Sequence, residues 1–482
     1  MNRWIKIVIG LSLMSLLVLS LAWQYWVYRP QKAQAEFESL MTDASPFLKQ
    51  RNVNERAKIA TSIGALLDTP QNNETPSQKA ERLAAKDRVN KATQKAASDL
   101  IPSDFEDYKA ALEKLDTRFQ SLNHSHLTPC QRHKSYKNWG ALRLWQSWAG
   151  NRTDFGGTPI NDIAAYENAS AEYTGRPVTF SEIKAVGKNE FEAVQAELKS
   201  LETLVGQDLN IFALRPENFS ETDAAIRARV EPLLENIEDS FSRSGDFEFA
   251  PVPKGTVQTR KGYGPRYAIA VYIKRDNAMR IHWTYGRYNH IYDTMLAVHE
   301  IMPGHHLQMK METQRACDQG PVSARIPFLE GWASYAEILA KERGLFTSPL
   351  QRLGWLDYRL VRAMRILIDT ARIENGLTED QAWELWQEKM PVRLNDDFPR
   401  EWARIKKSPH HLSYIFGSKA ILDARETLRE KYGHSFDETE FHAALLNAPH
   451  QSLMFLAERV DAQMQARKNI ELPAFKDIEP AL

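Results

Sequence analysis

The chain has 482 residues, of which 43% are hydrophobic, and its 62 basic residues balance its 62 acidic residues. This length is ample for a large buried core, and the even charge balance argues against a nucleic-acid or polyanion partner. Because Cys130 and Cys317 are the only cysteines, a disulfide framework is excluded, although one bridge is compatible with an oxidising compartment.

The N-terminus has the composition of a membrane segment. Arg3 and Lys6 precede residues 7–27, which carry no charge and are long enough to cross a bilayer as a helix. Aromatic residues gather at the far end of this run, as they do at membrane interfaces. We predict that residues 1–35 anchor the chain, with the remainder outside the cytoplasm, in the periplasm of a Gram-negative cell. A cleaved signal peptide is the alternative, since residues 33–35 have the small-x-small form of a cleavage site.

The rest of the chain is predicted to be mainly α-helical. Residues 36–250 are polar and follow helical periodicity, so we predict a helical N-terminal part. Residues 251–482 carry the motifs described below and form the predicted catalytic part. We expect residues 36–482 to make one compact unit.

A small β-hairpin is predicted just before the main motif. Residues 251–265 are rich in proline and glycine and are predicted to form a loop. Two β-rich runs follow, residues 267–274 and 279–285, joined by a short polar segment. A strand beside an active site can bind an extended peptide by strand addition, and a purely structural hairpin is the alternative.

The main motif is residues 299–306, with the sequence His-Glu-Ile-Met-Pro-Gly-His-His. Apolar residues recur at helical spacing before it and place His299 on the stripe that faces the core. In the zinc-peptidase helix His-Glu-x-x-His the histidines are four residues apart, but here that position is Pro303, which cannot bind a metal. His305 lies about 240° round an undistorted helix from His299. An unbroken helix would therefore leave His299 as an ordinary core histidine.

Pro303 and Gly304 can break the helix and bring a later histidine back towards His299, because proline lacks the amide and glycine permits unusual backbone angles. We favour His305 as the second ligand. His306 is the alternative, since it lies on the same helix face as His299, although about 10.5 Å along the axis.

A second stretch, residues 330–337, has the sequence Glu-Gly-Trp-Ala-Ser-Tyr-Ala-Glu within a predicted helix of residues 327–341. Glu330 and Glu337 fall on one face of that helix. A solvated acidic face is the ordinary explanation. The apolar residues around the two carboxylates argue against it.

The two stretches together resemble the bacterial domain-of-unknown-function 885 family. The resemblance is sharp over about residues 260–460. It implies a mostly helical, gluzincin-like metallopeptidase fold in which Glu330 is the third metal ligand. Further similar segments are residues 362–370, 376–378, 381–382, 412–417 and 441–446.

Two positions depart from the pattern expected of that family. Ile373 stands where a histidine is expected after the Asp-Thr pair. His410 falls where Pro-Gly-Gln is expected before Ser413 and Tyr414. These departures bear on substrate specificity more than on metal binding.

The predicted function is zinc-dependent hydrolysis of peptide or related amide bonds. His299, His305 and Glu330 would hold zinc and leave one position open for water. Glu300 would take the proton of that water and pass it to the leaving amine. Tyr414 would donate to the developing oxyanion, with a packed tyrosine as the alternative, and Glu337 would hold a histidine ring.

Two other functions fit the same residues. A membrane-tethered binding or scaffold protein could retain the peptidase fold without catalysis. An enzyme with the same metal chemistry could act on a small amide that is not a peptide. The partners expected under the main hypothesis are a peptide or small amide substrate and, through the N-terminal helix, a membrane.

Overall fold

The structure is a computed structural model that describes residues 29–45, 105–150, 160, 162–243, 253–261, 269–283, 288–311, 317, 326–390, 398–447 and 452–469. The chain divides into two compact units, residues 1–155 and 156–482. The division predicted near residue 250 falls within the second unit.

The first unit contains three described helices, which are α1 (residues 29–45), α2 (Phe105–Ser121) and α3 (Pro129–Gly150). Arg118 of α2 forms ion pairs with Glu36 and Asp43 of α1, at 3.0 and 2.6 Å. The predicted membrane segment, residues 7–27, lies outside the described residues. Of the helices that the structure does describe, none has the length and apolar character needed to cross a membrane.

The second unit is mainly helical, which confirms the predicted fold class. Its N-terminal half contains α4 (Ile163–Thr174), α5 (Phe180–Val205), α6 (Leu209–Ala213), β1 (Phe219–Ser220), α7 (Asp223–Arg243), β2 (Thr256–Lys261), β3 (Ala270–Ile273), β4 (Ala278–Trp283) and β5 (Tyr288–Asn289). Its C-terminal half contains α8 (Asp293–Glu300), α9 (His305–Met311), α10 (Ile326–Glu342), α11 (Pro349–Asn375), α12 (Glu379–Lys389), α13 (Phe398–Lys407), α14 (Leu412–Tyr432), α15 (Glu438–Leu446) and α16 (Leu456–Asn469).

Local sequence signals set the ends of the long helices. Ser348 and Thr378 begin α11 and α12 with capping boxes, in which each hydroxyl accepts the amide of the glutamine three residues later. Gly376 ends α11 in the left-handed conformation, with φ of 65°, which glycine adopts without a steric penalty.

The predicted hairpin is confirmed, but the loop predicted before it is wrong in part. Strands β3 and β4 pair antiparallel and are joined by a tight turn that ends at Asn277. Residues 256–261, predicted as loop, form β2, which pairs in parallel with β4. The β-branched Thr256, Val257 and Thr259 favour a strand, and pairing with β4 satisfies their backbone despite the glycines and prolines on either side.

The core brings the motif helices close together. A Cβ added to Gly331 of α10 would lie 2.5 Å from the Cα of Gly417 in α14, so these two helices meet at their backbones. Trp332 and Tyr335 of α10 are fully buried. Helix α8 packs against α7, α10 and α11. The two motif stretches therefore face each other across the interior of the second unit.

Candidate metal centre

Helix α8 places the first two residues of the motif inside the core. Every residue of α8 is buried, and His299 and Glu300 are only 7% and 6% exposed. The predicted burial of His299 is confirmed, although the whole of α8 is buried and not only one stripe. A histidine and a glutamate at such depth require polar partners, because an unpaired buried polar group is costly.

The chain bends sharply between α8 and α9. The amides of residues 301 and 302 both donate to the carbonyl of Ala297, at 3.0 and 3.2 Å. The peptide bond before Pro303 is cis, and the amide of Gly304 donates to the carbonyl of Val298 at 3.0 Å. The helix break predicted at Pro303 and Gly304 is confirmed.

Gly304 and Trp332 hold this bend in place. A Cβ on Gly304 would lie 1.8 Å from the carbonyl oxygen of His299, so the backbone approach admits only glycine. The indole nitrogen of Trp332 donates to the carbonyls of Pro303 and Gly304, at 2.8 and 3.2 Å. Helix α10 therefore stabilises the bend through the hydrogen bonds of Trp332.

The bend brings His299, His305 and Glu330 together. One ligand atom from each residue lies within 4.8 Å of the other two. The Nε2 atoms of His299 and His305 lie 3.5 and 3.8 Å from Oε2 of Glu330. Since zinc bonds of about 2.0–2.2 Å put tetrahedral ligand atoms about 3.3–3.6 Å apart, the two separations from Glu330 are close to those that a single ion requires.

His306 is engaged outside the cluster. Its Nδ1 accepts from the phenol of Tyr272 on β3 at 2.9 Å, and its Nε2 lies 2.8 Å from the carbonyl of Pro253. Because both ring nitrogens already have partners, His306 has no atom left for a metal in this arrangement. The geometry favours His305 as the second ligand.

Two polar residues orient the histidine rings. Nδ1 of His299 lies 2.8 Å from Oε1 of Glu337, as the sequence led us to expect of Glu337. Nδ1 of His305 lies 3.4 Å from Oε1 of the fully buried Gln308, whose amide donates to the carbonyl of Phe328. Each partner can accept a hydrogen bond from Nδ1–H, which in the neutral imidazole directs the Nε2 lone pair toward the cluster.

Arg362 completes the support of His299, a role that the sequence motifs did not predict. Its guanidinium donates to both oxygens of Glu337, at 2.8 and 2.9 Å, and is only 3% exposed. It also lies 4.7 Å from the ring centre of Tyr414. Residues 362–370 resemble a segment of the family. That resemblance does not indicate which residue Arg362 contacts.

The carboxylates of Glu330 and Glu337 and the imidazole of His299 shift one another's pKa values. Burial lowers the pKa of His299, but hydrogen bonds with Glu330 and Glu337 outweigh it and raise the pKa to about 9. Burial raises the pKa of Glu330, yet its hydrogen bonds with His299 and His305 hold the pKa well below its usual value. For Glu337, Arg362 and His299 overcome burial and lower the pKa to about 2. The two ionised carboxylates thus stabilise positive charge at the cluster.

Glu300 and Tyr414 both lie beside His299. Glu300 follows His299 in α8, and its charge raises the pKa of His299. The ring of Tyr414 stacks on that of His299 with centres 6.3 Å apart. Burial, and then the charge of Glu330, raise the pKa of Tyr414, so its phenol keeps its proton at neutral pH.

The two departures from the family pattern differ in their location. Ile373 is partly buried and packs against a separate apolar cluster that includes Tyr166 and Phe180, so it does not line the His–Glu cluster. His410 contacts Tyr414, with ring centres 5.8 Å apart. Only the second departure therefore bears on the chemistry of the site.

A known protein family matches a stretch of the chain that includes the cluster. The family model described as bacterial protein of unknown function (DUF885) matches residues 20–460. The chain belongs to this family. A comparison with curated proteins gave no match for this DUF885 member.

Solved structures with a similar fold include two bacterial proteins. A candidate lipoprotein from Colwellia psychrerythraea has a TM-score of 0.56 at 13% identity, covering 90% of this chain and 99% of its own. A candidate lipoprotein of unknown function from Shewanella oneidensis has a TM-score of 0.50 at 18% identity, covering 82% and 79%. Metallocarboxypeptidase 1 from Trypanosoma cruzi has a TM-score of 0.40 at 13% identity, covering 92% and 98%. The first two likenesses show that this DUF885 chain shares a known, mainly helical fold.

Proposed function

We propose that the chain is a zinc-dependent metallopeptidase that hydrolyses peptide or related amide bonds. The observation that carries the proposal is the convergence of His299, His305 and Glu330 at ligand distance. Two imidazoles and one carboxylate are the donor set of hydrolytic zinc sites that keep a fourth position open. Softer metals prefer thiolates, whereas magnesium and calcium prefer oxygen ligands alone.

The residues around the cluster have distinct tasks in this proposal. A zinc ion, when bound, would acidify its water and polarise the scissile carbonyl. Glu300 accepts the proton of the attacking water and delivers it to the leaving amine. Tyr414, whose phenol stays protonated, donates a hydrogen bond to the oxygen that becomes negative. Glu337, held by Arg362, keeps the ring of His299 in the orientation that leaves Nε2 free.

The proposed setting is outside the cytoplasm, with a membrane anchor at the N-terminus. Residues 7–27 have the composition of a membrane segment. The two cysteines, Cys130 and Cys317, allow one bridge in an oxidising compartment. Peptides or small amides that reach this compartment would be the substrates.

The test compares Glu300→Gln with the wild-type full chain, both purified in detergent and loaded with zinc. Amine release from a mixed peptide library reports turnover, and elemental analysis reports zinc. Glu300→Gln should hold about one zinc per chain and lose turnover by a factor on the order of 10²–10⁴. Glu384→Gln changes an exposed glutamate of α12 in the same way and should leave both values unchanged. Full turnover in Glu300→Gln would refute the role of Glu300, and zinc without any turnover in the wild type would favour the scaffold function.

A further inference from the structure

His410 lies at the edge of the candidate metal centre in a rigid turn. It belongs to the 3-10 turn Pro409–His411, directly before α14. Pro409 and His411 are buried, and Leu412 is fully buried. Nε2 of His411 lies 3.3 Å from Oδ2 of the buried Asp369 on α11. This packing fixes the backbone that carries His410.

The ring of His410 sits between two tyrosines. Its centre is 6.0 Å from that of Tyr173 and 5.8 Å from that of Tyr414. Tyr414 in turn stacks on the candidate ligand His299. Glu330 is close enough for its charge to act on His410. The ring therefore borders the region where a substrate carbonyl would meet the cluster.

One nitrogen of His410 is buried and the ring as a whole is not. Nδ1 is inaccessible to solvent and has no hydrogen-bond partner within the described parts of the chain, while the residue keeps intermediate exposure. A buried N–H without a partner costs more than a buried lone pair. The neutral tautomer that carries its proton on Nε2 is therefore favoured, and it directs the N–H to the accessible side of the ring.

The surroundings keep this ring neutral. Burial lowers the pKa of His410 to about 4, although the charge of Glu330 opposes the shift. A neutral imidazole with a fixed N–H is a hydrogen-bond donor over the whole neutral pH range.

We propose that His410 is a catalytic residue that donates its Nε2 proton in a hydrogen bond to the substrate oxygen that becomes negative in the tetrahedral intermediate, alongside the phenol of Tyr414. This inference rests on the proposed function and extends it to a residue that departs from the family pattern. His411 and Asp369 act only as positioning residues, because their contact holds the turn that carries His410.

The test measures binding of two probes to the zinc-loaded full chain. Acetohydroxamate is a small metal ligand that does not require the oxyanion donors. A phosphinic dipeptide mimics the tetrahedral intermediate and does require them. His410→Ala should keep the zinc and the acetohydroxamate affinity of the wild type, but lose phosphinate affinity by a factor on the order of a hundred. His410→Gln, whose amide can donate in the same place, should recover most of that loss.

The control is His434→Ala, which removes an exposed histidine after α14 and should bind both probes as the wild type does. Equal phosphinate affinity in His410→Ala and the wild type would overturn the inference while the proposed function stands. Loss of zinc in His410→Ala would overturn it too, because the residue would then support the metal site. Absence of zinc in the wild type would overturn the proposed function, and the inference with it.

Discussion

Gly304→Ala adds one methyl group at the tightest point of the bend between α8 and α9. The added carbon would lie 1.8 Å from the carbonyl oxygen of His299 and 2.4 Å from that of Val298. Real Cβ atoms keep at least 3.0 Å from such atoms, so the backbone must open by about 1.2 Å. Both clashing atoms belong to the main chain of α8, and no side-chain rotation can relieve them.

The opening should affect stability and metal binding together. Strain of this kind costs about 1–3 kcal/mol of the free energy of unfolding. Because zinc ligands tolerate displacements of only about 0.2 Å, moving His305 away from His299 should weaken zinc binding by a factor on the order of a hundred. Chelator competition measures the affinity, and urea unfolding of the metal-free protein measures the stability.

Gly206→Ala is the matched control for this substitution. Gly206 ends α5 with φ of 68° and has no atom within 4 Å of an added Cβ, so alanine there meets backbone strain of about 1–2 kcal/mol but no clash. It should keep zinc affinity unchanged. If Gly304→Ala bound zinc as tightly as the wild type, the bend would not be what brings the two histidines together.

Three further predictions concern buried polar groups of the second unit. Glu337→Gln should weaken zinc binding about 10–100-fold in chelator competition, because the ring of His299 loses its charged acceptor; an unchanged affinity would contradict this. Tyr272→Phe should cost about 1 kcal/mol of unfolding free energy through the lost hydrogen bond to His306, and zinc content should not change; zinc loss would show that His306 matters to the metal. Burial raises the pKa of Asp357 to about 7, although a hydrogen bond from Tyr292 opposes the shift. The folded chain therefore holds this proton more tightly than the unfolded chain, and stability should fall as pH rises from about 4 to 7, by roughly 4 kcal/mol. Asp357→Asn should remove this part of the pH dependence in urea titrations, and an identical pH profile in the variant would refute the assignment.

The sequence predicted the parts of the site that depend on local order. The helical stripe places His299, and the Pro303–Gly304 break is visible because these two residue types disrupt a helix whatever their surroundings. The spacing of Glu330 and Glu337 on one helix face is equally local. Each of these features depends on residues only a few positions apart.

The features that the sequence analysis missed depend on distant contacts. Arg362 meets Glu337 across 25 residues, and an arginine in a helix gives no sign of which carboxylate it will reach. Strand β2 forms because β4 is available to pair with it, whereas its own surroundings are rich in glycine and proline. The engagement of His306 by Tyr272 likewise requires the packing of β3 against the motif.

The most direct test of the central claim is the zinc content of His305→Ala and His306→Ala, measured by elemental analysis on the full chain with thermal unfolding as the check on folding. Neighbouring histidines make a matched pair, because each variant loses the same side chain. The account predicts that His305→Ala loses zinc, while His306→Ala keeps about one zinc per chain despite its two lost hydrogen bonds. Zinc lost from His306→Ala and kept by His305→Ala would contradict it.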